Sequence, residues 1–301
     1  MFKKYPSIEN SYNQKKIDRF LRDFPILENE QYIVTEKRDG SNIQIIFEPD
    51  KDSFKIGSRN RILDENESFN DVWEEIKDPF YNGLISYGKH LSQIHNAVVT
   101  FYGEIFGKGI QKRINYGDGK YIEIFDIAID GELMPQMFLL EDKILTDYMV
   151  PVYGLLDGIQ NALDFVPNNF NEIEGVVIKP YNEVYKSVQG KTFFLKKKNP
   201  KFEEKGNKQK KSNKPSYSEE AQNLREEFER YVNKNRVLSV FSKEGEIEDN
   251  EQIGKYIKLT LEDAKEDFFN DGFSVDNFDK NEVKYIFNAG SKIVEILKEY
   301  L

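Results

Sequence analysis

The sequence predicts an α+β protein in two parts: a domain of antiparallel sheets with flanking helices over residues 1–205, then a small all-helical domain over 217–301. Three observations predict it. Before residue 205, short runs of β-branched and aromatic residues bounded by Gly, Asp and Asn alternate with helical spacing. Residues 206–216 are low-complexity, lysine-rich and carry Pro215, as a linker does. Beyond them the apolar spacing is helical to the end.

In order, Tyr32 to Lys37 and Ile43 to Phe47 read as strands around the turn Arg38-Asp39-Gly40-Ser41-Asn42, whose glycine permits φ > 0. Phe54 to Gly57 reads as a short strand. Phe69 to Ile94 has helical spacing, with Val72, Ile76, Phe80, Ile85 and Leu91 as core positions and Pro79 as an interruption. Ala97 to Phe106, Tyr121 to Ile129, Ile173 to Lys179 and Thr192 to Lys198 read as strands. Ser216-Tyr217-Ser218-Glu219 has the spacing of a capping box. Helices are then expected near 218–233, 235–243, 249–258, 260–270 and 280–300.

A chain of 301 residues can bury a full core. Apolar content of 39% and charged content of 32% fit an ordinary soluble protein, and no run reaches membrane-spanning length. The first residues lack the apolar run of a signal peptide. Zero cysteines exclude disulfides, thiolate metal sites and a cysteine nucleophile, and point to the cytoplasm. The two histidines, His90 and His95, sit in the helical stretch, so histidine chemistry is not expected. A formal charge of −10 argues against a polyanionic partner, but the distribution argues for one. From Lys191 to Lys214 ten lysines face only Glu203 and Glu204, while the last third is acidic.

Six short segments carry chemistry: Glu36-Lys37-Arg38-Asp39-Gly40, Ser58-Arg59-Asn60, Tyr102-Gly103-Glu104, Phe125-Asp126, Glu174-Gly175-Val176-Val177-Ile178-Lys179 and Lys196-Lys197-Lys198. A lysine attacks only as the free amine, which calls for desolvation or nearby positive charge. Lys37, ending an apolar strand, is placed for that role. Lys196 and Lys198 share a strand face by the period of two, could supply the positive charge, and form a phosphate clamp; Lys197 points the other way. Glu104 and Glu174 are carboxylates in apolar surroundings, expensive to bury without a cation or a ribose hydroxyl. Each neighbours a glycine through which a ligand could approach the backbone. Singly, each residue also has an ordinary reading: a lysine before a turn, edge-strand glutamates, a core phenylalanine at 125, a surface arginine at 59. Gly107-Lys108-Gly109-Ile110-Gln111-Lys112-Arg113 is a basic, glycine-rich loop without the Gly-Lys-Ser/Thr ending of a nucleoside-triphosphatase phosphate loop.

In this order and spacing the segments resemble the covalent nucleotidyltransferase superfamily, and within it the RNA ligase 2 family of phage and editing RNA ligases. The likeness extends to Met1-Phe2-Lys3-Lys4-Tyr5, to Phe101 through Lys112 and to Lys198-Asn199-Pro200-Lys201-Phe202, covering most of residues 1–205. It implies an ATP-grasp-like nucleotidyltransferase domain and an ATP-dependent RNA ligase. Lys37 would take AMP from ATP, pass it to an RNA 5′-phosphate, and a 3′-hydroxyl would displace it. The resemblance assigns Glu36 to the adenine edge, Phe125 to stacking, Glu104 to the ribose and Arg59 to the nucleotide or 5′-phosphate. Lys196 and Lys198 would bind the α-phosphate. Glu174 would place Mg2+ through water, with Mn2+ able to substitute. Lys179 matches a nucleotide-site position, and Asp39, Asn42 and Gln111 match substrate contacts.

The implied partner is RNA, nicked and double-stranded, met by a monomer with no membrane association, in the host cytoplasm if the gene is a phage's. The region between Glu104 and Glu174 is compact beside phage relatives. Rival readings are a DNA ligase or capping enzyme with the same core, which usually carries a strand-rich barrel after the last lysine motif, and a non-catalytic RNA-binding scaffold.

Overall fold

A computed structural model describes residues 2–65, 67–111, 113–202, 217–245, 247, 249 and 252–300. The chain divides into two compact units, Met1–Asn199 and Pro200–Leu301. The expected linker, Lys112 and the lysines from 205 to 214 lie outside the described residues.

The first unit runs β1 (Glu9–Asn10), α1 (Gln14–Asp23), β2 (Gln31–Lys37), β3 (Gly40–Phe47), β4 (Phe54–Ser58), α2 (Val72–Glu75), α3 (Asn82–His95), β5 (Val99–Gly107) and β6 (Lys120–Ile129). It continues through β7 (Glu132–Leu133), α4 (Gln136–Glu141), β8 (Val152–Asp157), α5 (Ile159–Asp164), β9 (Gly175–Pro180) and β10 (Leu195–Lys198). Two five-stranded sheets result, ordered β1-β10-β9-β2-β8 and β4-β3-β5-β6-β7. Every ladder is antiparallel except the short β1–β10 pair. The fold class is therefore α+β, as the strand-like runs predict.

Alternation along the strands decides which face each residue serves. Tyr32 and Val34 of β2, Val176 and Ile178 of β9, and Phe193 and Leu195 pack with Ile17 and Phe20 of α1 and with α5. In the other sheet Ile43, Ile45 and Phe47 of β3 and Phe101 and Ile105 of β5 form a second core with α3. The opposite sides of the two sheets meet through a small core of Tyr5, Tyr102, Ala128 and Phe194.

Several boundaries differ from expectation. The turn is shorter than five residues, because β3 already starts at Gly40. Gly40 does not adopt positive φ; its need is space, since a Cβ there would stand 2.3 Å from the Ile105 carbonyl oxygen. Helical spacing over 69–94 resolves into α2, a turn of tight helix at Pro79–Tyr81 and α3. Val72 and Ile76 are buried as expected, Ile85 and Leu91 only partly, and Phe80 is exposed. The buried stripe of α3 is Leu84, Gly88 and Ser92. Ile173 and Glu174 precede β9 rather than lie in it, and β10 begins at Leu195.

The second unit holds α6 (Glu219–Glu229), α7 (Lys234–Glu244), α8 (Ile253–Asn270), α9 (Lys280–Ile286) and α10 (Gly290–Leu297) around Phe228, Tyr231, Phe268 and Ile293. Ser218 caps α6: its hydroxyl accepts from the Ala221 amide. Ser216 lies outside the described residues. The expected break between 258 and 260 does not exist, whereas 280–300 breaks between α9 and α10. Among the described residues no strand occurs in this unit, and no helix of the chain is long and apolar enough to cross a membrane.

Candidate active site

The chain passes from one sheet to the other at Lys37-Arg38-Asp39-Gly40, the link between β2 and β3. That crossover is gripped on both sides. Arg38 forks onto Glu123 of β6, with Nε to Oε2 at 2.7 Å and its terminal nitrogen to Oε1 at 2.9 Å. Its guanidinium also lies 4.7 Å from the Phe106 ring centre. Asp39, buried, accepts both arms of Arg113, Nε at 2.9 Å, and its amide donates to the Tyr116 hydroxyl at 3.0 Å.

Lys37, Gly175 and Lys198 are directly opposite one another across β2, β9 and β10, and so share a face. Glu174, one residue before Gly175, bridges the two lysines: Lys37 Nζ donates to Oε2 at 2.6 Å, and Lys198 Nζ stands 3.0 Å from Oε1. The Glu174 side chain is only 3% exposed and that of Lys37 is 22% exposed. Burial alone would raise the Glu174 carboxyl, but Lys37, Lys198 and Arg113 outweigh it and hold the group well below the usual carboxylate range.

One expectation needs correction here. The nearest charged group to Lys37 is an anion, Glu174, rather than a neighbouring ammonium. The need for glycine beside Glu174 comes from the sheet itself: φ is +156° at Gly175, and a Cβ would stand 2.2 Å from the Lys197 carbonyl oxygen. Asn199, whose amide donates to the Glu174 carbonyl at 2.8 Å, fixes that backbone; its side chain donates to Phe170 and Ile173 carbonyls.

Lys196 lies two residues from Lys198 on the same face, opposite Val177. Lys197 points the other way, donating to the Leu163 and Phe165 carbonyls at 2.7 and 3.1 Å. Glu36 also turns away from Lys37, because neighbours in a strand face opposite sides. Its carboxylate accepts from Arg38 and, at 2.8 Å, from the Tyr153 hydroxyl.

From the facing sheet come Glu104, Asn42 and Phe125. Glu104 pairs across the ladder with Asn42. Burial pushes its carboxyl up to about 8; Lys37 opposes this, and Glu174 and Asp39 add to it. Asn42 Oδ1 is buried without a hydrogen-bond partner among the described residues. Arg59, half-buried just after β4, is close enough to act on Glu104 and Tyr5.

Phe125 is the extra residue where the β5–β6 register shifts, so Tyr102 faces Asp126 and Gly103 faces Ile124. A bulge re-aims the ring that it carries. Behind it, Lys179 donates to the Phe125 carbonyl at 2.9 Å and to Asp126 Oδ2 at 2.7 Å. Lys179 and Asp126 are 1% and 0% exposed, so this lysine supports the ring from within instead of reaching outward. Tyr5 completes the support, with its hydroxyl on Asp126 and its ring 5.0 Å from Phe125. Gln111 sits above the crossover in the left-handed region (φ 57°), its amide nitrogen 3.5 Å from the Gly40 carbonyl.

Because its folded-state carboxyl is raised, Glu104 favours the folded chain most below pH 4.5 and loses that contribution as pH rises through about 8. Glu104→Gln is expected to flatten this part of the stability–pH curve, read as denaturation midpoints from pH 4 to 9. An unchanged slope would remove Glu104 as its source.

Residues 30–198, more than half of the chain, match the family model described as RNA ligase. The chain belongs to the RNA ligase family. Residues 215–295 match the model described as T4 RNA ligase 2 C-terminal, which makes it an RNA ligase 2 family member. Among solved structures, this RNA ligase family chain is similar to variants of the Naegleria gruberi RNA ligase. One, with ATP and manganese, is 18% identical with a TM-score of 0.48. A second, with AMP and manganese, is 20% identical with a TM-score of 0.47. An apo variant is 22% identical with a TM-score of 0.46. Each match covers 67% of this chain and spans 57% of the length of the solved one.

Arg113, Asn199 and Tyr5, like Arg38, Glu123, Tyr116 and Tyr153, are residues that sequence reasoning did not assign. Arg113 ends a loop already conspicuous for its basic, glycine-rich composition, but its partner Asp39 is 74 residues away, and no local pattern names it.

Proposed function

We propose that this RNA ligase family member is an ATP-dependent enzyme that joins a 3′-hydroxyl to a 5′-phosphate through a lysyl-AMP on Lys37 and an RNA-adenylate. The observation that carries the reading is the row Lys198–Glu174–Lys37, with Lys196 beside it: one amine at a strand end, two ammonium groups on its face, and a buried carboxylate between them. Phosphoryl transfer asks mainly for position and for neutralised charge, and this row supplies both. Once it has left Glu174 and lost its proton, Lys37 attacks the α-phosphorus of ATP, the bond to the β-phosphate breaks and pyrophosphate leaves. Lys196 and Lys198 then hold the α-phosphate. Phe125, propped from behind, stacks on adenine; Glu104 takes the ribose, and Arg59 the nucleotide or the 5′-phosphate. Glu36, which accepts from Arg38 and from the Tyr153 hydroxyl, takes the adenine edge. Asn42, whose Oδ1 has no hydrogen-bond partner among the described residues, and Asp39 and Gln111 at the crossover belong to the RNA-binding side.

Glu174 offers hard oxygen donors of the kind magnesium takes, and magnesium keeps several waters. Among the described residues no three His, Asp or Glu are placed to hold an ion by themselves, so Glu174 would hold one through water together with ATP oxygens. Such an ion would neutralise phosphate charge.

The substrate we propose is nicked duplex RNA, bound by a monomer. Incubation with radiolabelled ATP and magnesium, followed by nicked duplexes with RNA or DNA on each side, tests the assignment. Label on Lys37 and joining of RNA nicks are expected. Strong GMP transfer to Lys37, or no adduct at all, would end it.

Residues 217–301 we assign to sealing rather than to adenylylation, because every group named above lies before residue 200. A chain of residues 1–211 is expected to form the adduct at near wild-type extent and to lose nick joining. Unimpaired joining by that fragment would overturn the division.

A further inference from the structure

We propose that Arg113 is a positioning residue for adenylylation: by occupying Asp39 with both arms of its guanidinium, it keeps that carboxylate from drawing Lys37 off the strand face it shares with Lys198. The inference rests on the proposed function and goes beyond it, since the reaction itself assigns nothing to Arg113.

Three carboxyl groups feel the Lys37 charge, Glu104 on the facing sheet and two beside its own strand end. One is Glu174, which it meets at 2.6 Å on the shared face of β2, β9 and β10. The other is Asp39, two residues further along the crossover and close enough to feel the charges of both Lys37 and Glu174. Asp39 is 1% exposed. A carboxylate so buried must have a cation or several donors. It has Arg113, arriving from the loop between β5 and β6 as a two-pronged contact, the geometry in which guanidinium holds carboxylate best.

The same loop grips the crossover at two further points, the Tyr116 hydroxyl on the Asp39 amide and the Gln111 side chain over the Gly40 carbonyl. If Arg113 lost its charge, the lysine in the same turn would be the cation at hand for Asp39. Lys37 would then be pulled along its own strand end, off the face where Gly175 and Lys198 stand. A nucleophile displaced by about an ångström can lose about a hundredfold in rate without loss of substrate affinity. The pairing makes a clear distinction: Arg113 matters because Asp39 is charged, not because the loop needs an arginine for its own packing.

A double-mutant cycle on the full chain reads this out, with single-turnover formation of the lysyl-AMP as the signal and ATP half-saturation measured alongside. In the wild-type background Arg113→Gln is expected to slow adduct formation by about 10- to 100-fold, with half-saturation within about threefold. In an Asp39→Asn background the same change is expected to cost less than about twofold, since the competing anion is gone. Arg113→Lys, which keeps charge but not the fork, should fall between wild type and Arg113→Gln. An equal loss in both backgrounds, or no loss in either, would overturn the inference while leaving the ligase reading intact. A wild-type chain that forms no adduct would instead overturn the ligase reading and this inference with it. Should Arg113→Gln fail to fold, Arg113→Lys is carried through the same two backgrounds, and equal losses there would again count against it.

Discussion

Lys37→Ala is expected to form no covalent adenylate when incubated with ATP, with a loss of at least about 10³-fold in adduct formation, since removing a covalent nucleophile leaves only positioning and charge effects. The substitution also frees Glu174 from its 2.6 Å contact, but Lys198 still holds the other oxygen, so the unit keeps its fold. Intact mass of the protein after incubation is the measurement. An adduct of unchanged yield in the variant would mean that another group takes the nucleotide, and the assignment built on the Lys198–Glu174–Lys37 row would fall. A strand already carrying a 5′-adenylate bypasses the lysine, so Lys37→Ala is expected to join such a nick far better than one bearing a plain phosphate.

Asp126→Ala is expected to destabilise the first unit by about 3–5 kcal/mol, the range for removing one partner of a buried ion pair. Burial pushes the Asp126 carboxyl up and the Lys179 amine down, and their 2.7 Å contact offsets both. Without the carboxylate, Lys179 keeps only the Phe125 carbonyl, and Tyr5 and Gln136 lose their acceptor. Denaturant midpoints measure the loss. Adding Lys179→Met to Asp126→Ala removes the stranded charge and should recover much of it. A single variant as stable as the wild type would show that this network does not hold the two sheets together.

The strands that build the site were legible because they are runs of buried β-branched and aromatic residues: β2, β3, β5, β6 and β9 each contain one, and β10 follows directly on the buried Thr192-Phe193-Phe194. Elements without such a run were not. In α1 only Ile17 and Phe20 are buried within ten mostly polar residues. β8 is an edge strand, with Val152 and Leu155 exposed, so it lacks a buried stripe. In the second unit α8 runs unbroken through Lys258 to Thr260, and the final helix breaks at Phe287-Asn288-Ala289, before Gly290, an Asn/Gly stop signal inside an otherwise helical spacing. The chemistry-bearing residues were legible as types, through carboxylates in apolar surroundings and lysines at period two. Their partners were not: Phe125 as a bulge depends on register, and the Lys37–Glu174 contact joins positions 137 residues apart.

What the amino acids determined alone is the kind of protein this is, two sheets' worth of strands, a helical tail and an ordered set of reactive side chains. Those properties follow from local patterning and residue chemistry. The tertiary structure decided which charges touch, giving Lys37 an anion for a neighbour, burying Lys179 as a prop and tying Arg113 to Asp39. Electrostatic contacts act across a few ångströms of space whatever the distance along the chain, so only the folded arrangement could set them.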